Sequence, residues 1–429
     1  MSIAPFFIRP MGVHILARKN IVVGLDLGTS NVVAIVAQVT SPDSLDIIGI
    51  GESESLGMRK GIIVDIERTS KAIESAIEKA ERMSGCTIDS VFAGITGPHI
   101  NSTNNRGVIA VSNETSEITL DDVQRALQAA KVIALPQDRK IIHVLPREYI
   151  VDGYDGILDP VGMYGTRLEV ETNIVTGARA SIQNMLKSIE KTGLKVEALV
   201  LNALASGDAV LLPTEKELGT VLVDIGGGTT EIAIFREGSL WYTAVIPIGG
   251  DHITSDLAVG LRTPIAQAEI IKKAEGCVFP DLMPDDKYID IPSVGSEETR
   301  KVSKKMLAGI VEPRVSEMLA MIQEKIRLSG YNDVIPGGIV FTGGTASLDG
   351  LAQLAMEQLQ LPVRIGKPKS VGGLSDIVNL PSYSTAIGLV LFGSKRIVIT
   401  REEGKRDPLM GGFFARIKSW FGDVFSLEG

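Results

Sequence analysis

"GTVLVDIGGGTTEIAIFREGSL", Gly219 to Leu240, sets an apolar run and an aspartate ahead of a glycine-threonine turn and a second apolar run. The pattern reads as a strand, a tight turn and a returning strand. An earlier stretch matches it: "IVVGLDLGTSNVVAIVAQV", Ile21 to Val39. The repeat predicts two related halves, each built on the same hairpin. A turn made of Gly, Thr and Ser exposes several backbone N–H groups with little Cβ in the way, so it can cradle phosphate oxygens. The hydroxyls of Thr29, Ser30, Thr229 and Thr230 add donors. Asp26 and Asp224 stand where the strands enter the turns. A carboxylate beside a phosphate is repelled unless a cation stands between them, so the placement predicts Mg²⁺ held through water.

A third piece follows near the end, "GGIVFTGGTASLDGL", Gly338 to Leu351: a strand, a Gly343-Gly344 turn and a helix start. A flat ring can lie against such a turn, which suits an adenine. Taken singly, each piece is an ordinary tight turn or a strand-end aspartate. Three in this order, with two matching halves, predict a nucleotide cleft. The motif is not a Walker loop, because no G-K-[ST] follows. It is not a dinucleotide fingerprint either, because the glycines lead into a strand and not a helix.

The totals fit this reading. At 429 residues the chain is too long for one typical domain. Its formal net charge of -9 argues against nonspecific nucleic-acid binding. Two cysteines, Cys86 and Cys277, give no disulfide framework and suggest a reducing compartment. They give no metal-site spacing with the four histidines. The start, "MSIAPFFIRPMGVHIL", is broken by Pro5, Arg9 and Pro10 and reads as no signal peptide, with Met11 as a second candidate start.

Between the hairpins, "SKAIESAIEKAERMSG" reads as a helix stopped at Gly85. From Cys86 to Gly165 short strands surround one helix, "TLDDVQRALQAAKVI", which predicts a small inserted α+β module. Helical stretches are expected from about 251 to 276, and "DDKYIDIPSVGSEETR" reads as an exposed loop or hairpin.

The order "LDLGTSN", "VDIGGGTTE", "FTGGTASLDGL" resembles the two phosphate loops and the adenosine motif of the actin-like ATPase superfamily. Within it the chain is similar to the FtsA family of bacterial division proteins, from about Lys19 to the last helix. "HVLPREYIVDG", "GLKVEALVLNALAS", "IPSVGS" and "YSTAIGLVLFG" carry the likeness further. The resemblance implies an α/β actin-like (ribonuclease H-like) fold of two halves, with an inserted subdomain and a C-terminal amphipathic helix. It divides the chain into an extension (1–18), subdomain 1A (19–85), an inserted subdomain 1C (86–165) and 1A again (166–198). Subdomain 2A (199–250), subdomain 2B (251–312), 2A again (313–372) and the end of 1A (373–396) follow, then a linker (397–411) and a membrane-binding helix (412–427).

Roles follow by position. Gly28, Thr29, Ser30 and Asn31 form the first phosphate loop; Gly226, Gly227, Gly228, Thr229 and Thr230 form the second. Gly343 and Gly344 face the adenosine, while Asp26 and Asp224 organise Mg²⁺ and the attacking water. Glu269 and Lys272, in "AQAEIIKKAEG", match a helix that reaches ribose and adenine; read from the residues alone they are equally a solvated helix face. No residue placed to orient that water is evident, so at most slow ATP hydrolysis is implied.

The end of the chain, "GGFFARIKSWFGDVF", holds four of the 11 phenylalanines. On a helical wheel Phe413, Phe414, Ile417, Trp420, Phe421, Val424 and Phe425 fall within an arc of roughly 140°, flanked by Arg416 and Lys418. A helix docked on the body is the plain alternative. A polar linker after the last core strand, and an aromatic stripe with flanking cations, favour a membrane surface instead. The resemblance then implies an ATP-loaded protein on the cytoplasmic face of the cell membrane at the division site. It forms filaments with itself, anchors FtsZ filaments and recruits later division proteins through the inserted subdomain. Two alternatives share the superfamily: a PilM-like pilus assembly protein and a small-molecule kinase. The terminal helix argues against the first, and the lack of a base or substrate motif against the second.

Overall fold

The computed structural model describes residues 20–41, 44–112, 114–279, 288–292, 299–369 and 371–402. The N-terminal extension, Met11 and the amphipathic stretch from Phe413 to Phe425 lie outside the described residues.

The two hairpins form in the same register. Ile21–Leu27 pairs antiparallel with Asn31–Ser41, the last pair being Leu27 with Val32. Thr220–Ile225 pairs with Thr230–Arg236, the last pair being Ile225 with Thr230. Each hairpin is the centre of a sheet with the same strand order. In the first sheet Ser44–Glu54 extends the hairpin on one side, and Ser90–Ile95 then Lys195–Leu201 extend it in parallel on the other. In the second, Ser239–Ile246 takes the antiparallel side, and Ile339–Thr342 then Val363–Ile365 the parallel side. The strands are buried on both faces, which is why they read as continuous apolar runs.

Two helices, Asn202–Val210 and Ser384–Glu402, lie between the sheets. One continuous core joins Leu204, Ala205, Leu389 and Val390 to strands of the first sheet and to Leu222, Ala233 and Phe235 of the second. The helices cross closely because Gly388 faces the Ala205 carbonyl, where a Cβ would collide. A separate core fills the far side of the second half, from Val221 to Leu359. The helix Ile66–Ser84 is capped by Asp65 and ends at Gly85, whose φ of 68° suits glycine.

The inserted module runs from residue 97 to Ala178, not from 86 to 165. Ser90–Ile95 is a strand of the first sheet, and Arg167–Ala178 is a full strand of the module's own sheet. The expected bounds are shifted because Ser90–Ile95, just after Cys86, pairs into the first sheet, and Arg167–Ala178, just after Gly165, pairs with module strands far away in the chain. The module's four strands, with the helix Leu120–Ala130 on one face, enclose a small core of their own. The chain segment 397–402 is also helical, the end of Ser384–Glu402, so a helix and not a strand precedes the expected linker. The segment read as a loop or hairpin holds the strand Tyr288–Pro292 and the first two residues of its pairing partner, Thr299–Ser303.

The module touches both halves. Toward the first half, the Leu201 amide donates to His143 Nε2 at 2.9 Å. Toward the second, the Arg147 guanidinium lies 3.5 Å from the Trp241 ring centre, and Asn173 Nδ2 donates to the Trp241 carbonyl at 3.1 Å. Ser102 Oγ donates to the Thr243 carbonyl at 3.2 Å.

Candidate functional site

A cleft of about 350 Å³ opens between the halves and is lined by both hairpin turns. The turns close alike: Gly28 N–H donates to the Asn31 carbonyl at 3.0 Å and Gly226 N–H to the Thr229 carbonyl at 2.9 Å. They also face each other. A Cβ on Gly227 would collide with Ser30 Oγ, and one on Gly228 would come 2.7 Å from Thr29. The helix Gly250–Gly260 backs the second turn, with Gly250 and Asp251 N–H groups on the Gly226 and Gly227 carbonyls, both at 2.9 Å.

The cleft is lined by Asp26, Gly28, Thr29, Ser30, Asn31, Asp224, Gly226, Gly227, Thr229, Glu269, Lys272, Gly343 and Gly344. Gly228 and Thr230 do not line it. Gly228 packs under Thr29 and Lys60, and Thr230 donates its hydroxyl to the Ile248 carbonyl at 2.8 Å. Thr230 begins a strand in which Glu231 faces the cleft, so alternation turns Thr230 the other way. Gly343, at φ 86°, passes over Asp224 so closely that no side chain fits. Lys272 pairs with Glu269 at 2.6 Å and also donates to Thr254 and the Gly250 carbonyl. Burial pushes the Glu269 carboxyl up, but hydrogen bonds from Lys272 and Thr254 outweigh it and hold it below the usual range.

The base of the cleft is acidic. Burial, and then the charge of Asp224, push the Asp26 carboxyl up to about 7. Burial pushes Asp224 up to about 6, against hydrogen bonds from Thr385 and Ser206. The third carboxyl is Glu231, directly across the hairpin from Asp224. Burial and the charge of Asp224 raise it well above the glutamate range. Asp26 Oδ1 and Glu231 Oε2 are buried with no hydrogen-bond partner. Among the described residues no ion pair engages these carboxyls, and a divalent cation fits that need. Among the described residues no three His, Cys, Asp or Glu side chains converge as direct ligands, so the carboxylates fit a hydrated cation.

Sequence reasoning missed Glu231, although one signal was in hand. Aligning the two hairpins puts Glu231 against Val33, seven residues after each aspartate. It also missed Thr385, whose hydroxyl donates to Asp224 Oδ2 at 3.2 Å. Glu52 was missed as well; it accepts from Asn31 Nδ2 at 2.6 Å across the first turn. These two come from distant strands and helices, and no local pattern marks them.

The duplicated sheets, the cleft between them and the module inserted in the first half define an actin-like protein. Solved structures with this fold include the PilM–PilN type IV pilus biogenesis complex, at TM-score 0.64 and 15% identity over 87% of this chain and 98% of that one. MreB5 of Spiroplasma citri bound to AMPPNP matches at TM-score 0.56 and 15% identity, over 90% and 99%. At such identity the likeness concerns the fold alone. The family model described as cell division protein FtsA matches residues 221–388, and the model for the SHS2 domain inserted in FtsA matches residues 97–176. FtsA of Pseudomonas aeruginosa is 46% identical over 88% of this chain and 90% of its own length. FtsA of Bacillus subtilis is 41% identical over 88% and 84%, and that of Escherichia coli K12 is 37% identical over 95% and 99%. The chain belongs to the FtsA family of cell division proteins, and its role lies in bacterial division.

Proposed function

We propose that the chain binds ATP with Mg²⁺ between its halves, polymerises on the cytoplasmic face of the cell membrane and ties FtsZ filaments to that surface. The observation that carries the nucleotide reading is the pair of facing turns above a carboxylate cluster that no ion pair engages among the described residues. Backbone N–H groups of the turns receive phosphate oxygens, and Gly343, Lys272 and Glu269 receive the nucleoside. Asp26 and Asp224 hold water on the cation. Bound there, Mg²⁺ neutralises phosphate charge.

The membrane reading rests on the aromatic stripe from Phe413 to Phe425 with its flanking Arg416 and Lys418. Among the described residues no helix is long and apolar enough to cross a membrane. Phe414, Trp420 and Phe421 supply most of the attraction, at roughly 1.5–3 kcal/mol for each fully buried large side chain and less at an interface. Arg416 and Lys418 add about 1 kcal/mol each near anionic lipid. A single such helix anchors weakly, and filament formation multiplies it through effective concentration. The inserted module serves self-assembly and recruitment of later division proteins.

Flotation with anionic vesicles at two salt concentrations tests the anchor. Wild type floats less at high salt, and Trp420→Glu stays at the bottom while still binding ATP. A variant that floats like wild type removes the anchor reading. Co-sedimentation with FtsZ filaments tests the partner, and absence from the pellet removes it.

A further inference from the structure

We infer that the groove lined by Arg364, Lys367 and Lys369 is a second membrane contact: a cationic face of the body that rests on anionic lipid headgroups. The inference rests on the anchor reading above and adds to it a surface that the anchor brings to the bilayer.

The groove, of about 610 Å³, lies where the chain crosses from the second sheet to the first. Its charged lining is Arg364, Lys367 and Lys369 against one carboxylate, Asp376, in a chain of net charge -9. The crossing segment fixes how two of these cations stand. Proline holds its own φ and keeps the residue before it extended. Pro368 is buried, while Lys367 and Lys369 on either side of it are exposed. The buried proline thus pins the segment with both ammonium groups toward solvent.

Neither ammonium group is needed by the fold. Lys369 reaches the Ala209 carbonyl through its backbone N–H alone, at 3.1 Å. Arg364 pairs with Glu215 at 2.6 Å and donates to the Val210 carbonyl at 3.0 Å, which satisfies the end of the helix Asn202–Val210. Among the described residues no ion pair engages Lys367 or Lys369.

Position selects the partner. The helices Asn202–Val210 and Ser384–Glu402 both begin at the cleft, which Asn202 and Thr385 line. They run together to the opposite side, where Lys395 pairs with Asp208 at 2.9 Å, next to the Ala209 carbonyl that Lys369 closes. From Lys395 the helix continues about 10 Å to Glu402. The aromatic stripe begins at Phe413, and the chain between spans at most about 40 Å. The end of the body that bears the groove is therefore the end tied to the bilayer. Attraction between lysines and anionic headgroups acts within about 10 Å, so it adds to the anchor once the stripe is seated. An acidic peptide offers the same charge, but no part of the fold brings one to this end.

The test uses the full chain and vesicles of phosphatidylcholine, alone or mixed with phosphatidylglycerol, with flotation read at low and high salt. Lys367→Glu with Lys369→Glu should bind the mixed vesicles about tenfold or more weakly than wild type at low salt, and the gap should close at high salt. On phosphatidylcholine alone the two should bind alike, because only the aromatic stripe acts there. Lys367→Gln with Lys369→Gln should fall between them on the mixed vesicles. Equal binding of mixed vesicles at low salt overturns the inference and leaves the anchor standing. A loss as large on phosphatidylcholine alone overturns it too, because the change then acts through the anchor or the fold. Unchanged flotation with lost co-sedimentation on FtsZ filaments makes the groove a protein site and overturns it as well. Trp420→Glu floating like wild type removes the anchor reading itself, and the inference falls with it.

Discussion

The two hairpins share a turn, a hydrogen bond closing it and an aspartate at the same register, yet they differ across from that aspartate. Asp26 faces apolar Val33, and Asp224 faces Glu231. What the hairpins share is a backbone cradle, which any anion exploits. What differs is the side chain across from the aspartate, so one duplicated turn presents two different surroundings to the same cleft.

Making the hairpins alike should fail badly. Val33→Glu places a second carboxyl in a 6% exposed position beside Asp26, whose own carboxyl burial already pushes up to about 7. It should cost about 3 kcal/mol or more of stability, read by urea unfolding. A cost below about 1 kcal/mol means the first hairpin tolerates the second one's chemistry. The turns can be compared next. Gly227→Asp forces a Cβ onto Ser30 and a charge into the phosphate site. ATP affinity should fall at least about 100-fold by calorimetry, close to 2.7 kcal/mol. Unchanged affinity sinks the cradle.

The module's two attachments offer the same kind of contrast, one buried and neutral, one charged. Burial pushes His143 from 6.5 down to about 3. The unfolded chain then binds a proton that the folded one refuses. This part of the stability is full above the unfolded value and is lost as pH falls through the window from 6.5 to about 3. Between pH 6.5 and 5 the loss should be about 2 kcal/mol. His143→Gln should flatten that slope in urea titrations, and an unchanged slope places the titration elsewhere. On the charged side, Arg147→Met removes the guanidinium from Trp241. The expected cost is about 1 kcal/mol, and a neutral result makes that contact incidental.

The hairpins were legible because a glycine-rich turn between apolar runs is a local pattern that the chain carries twice. The helix ending at Gly85 was legible for a similar reason, since a φ of 68° is written into the glycine. The module's edges were not, because Arg167–Ala178 continues through a glycine-bearing stretch whose pairing is nonlocal. Thr230 was assigned to the phosphate by its neighbours' chemistry, and the alternation of its strand decides otherwise. Thr385 reaches Asp224 from 161 residues away, a distance that no spacing rule crosses.

The central claim is that phosphate charge and the acidic base of the cleft meet through a cation. Titration of ATP by calorimetry, with Mg²⁺ and then with chelator, tests it most directly. Binding should be clear with Mg²⁺ and at least about tenfold weaker without it. Equal affinity in chelator contradicts the account, because Asp26 and Asp224 would then face the phosphates with nothing between.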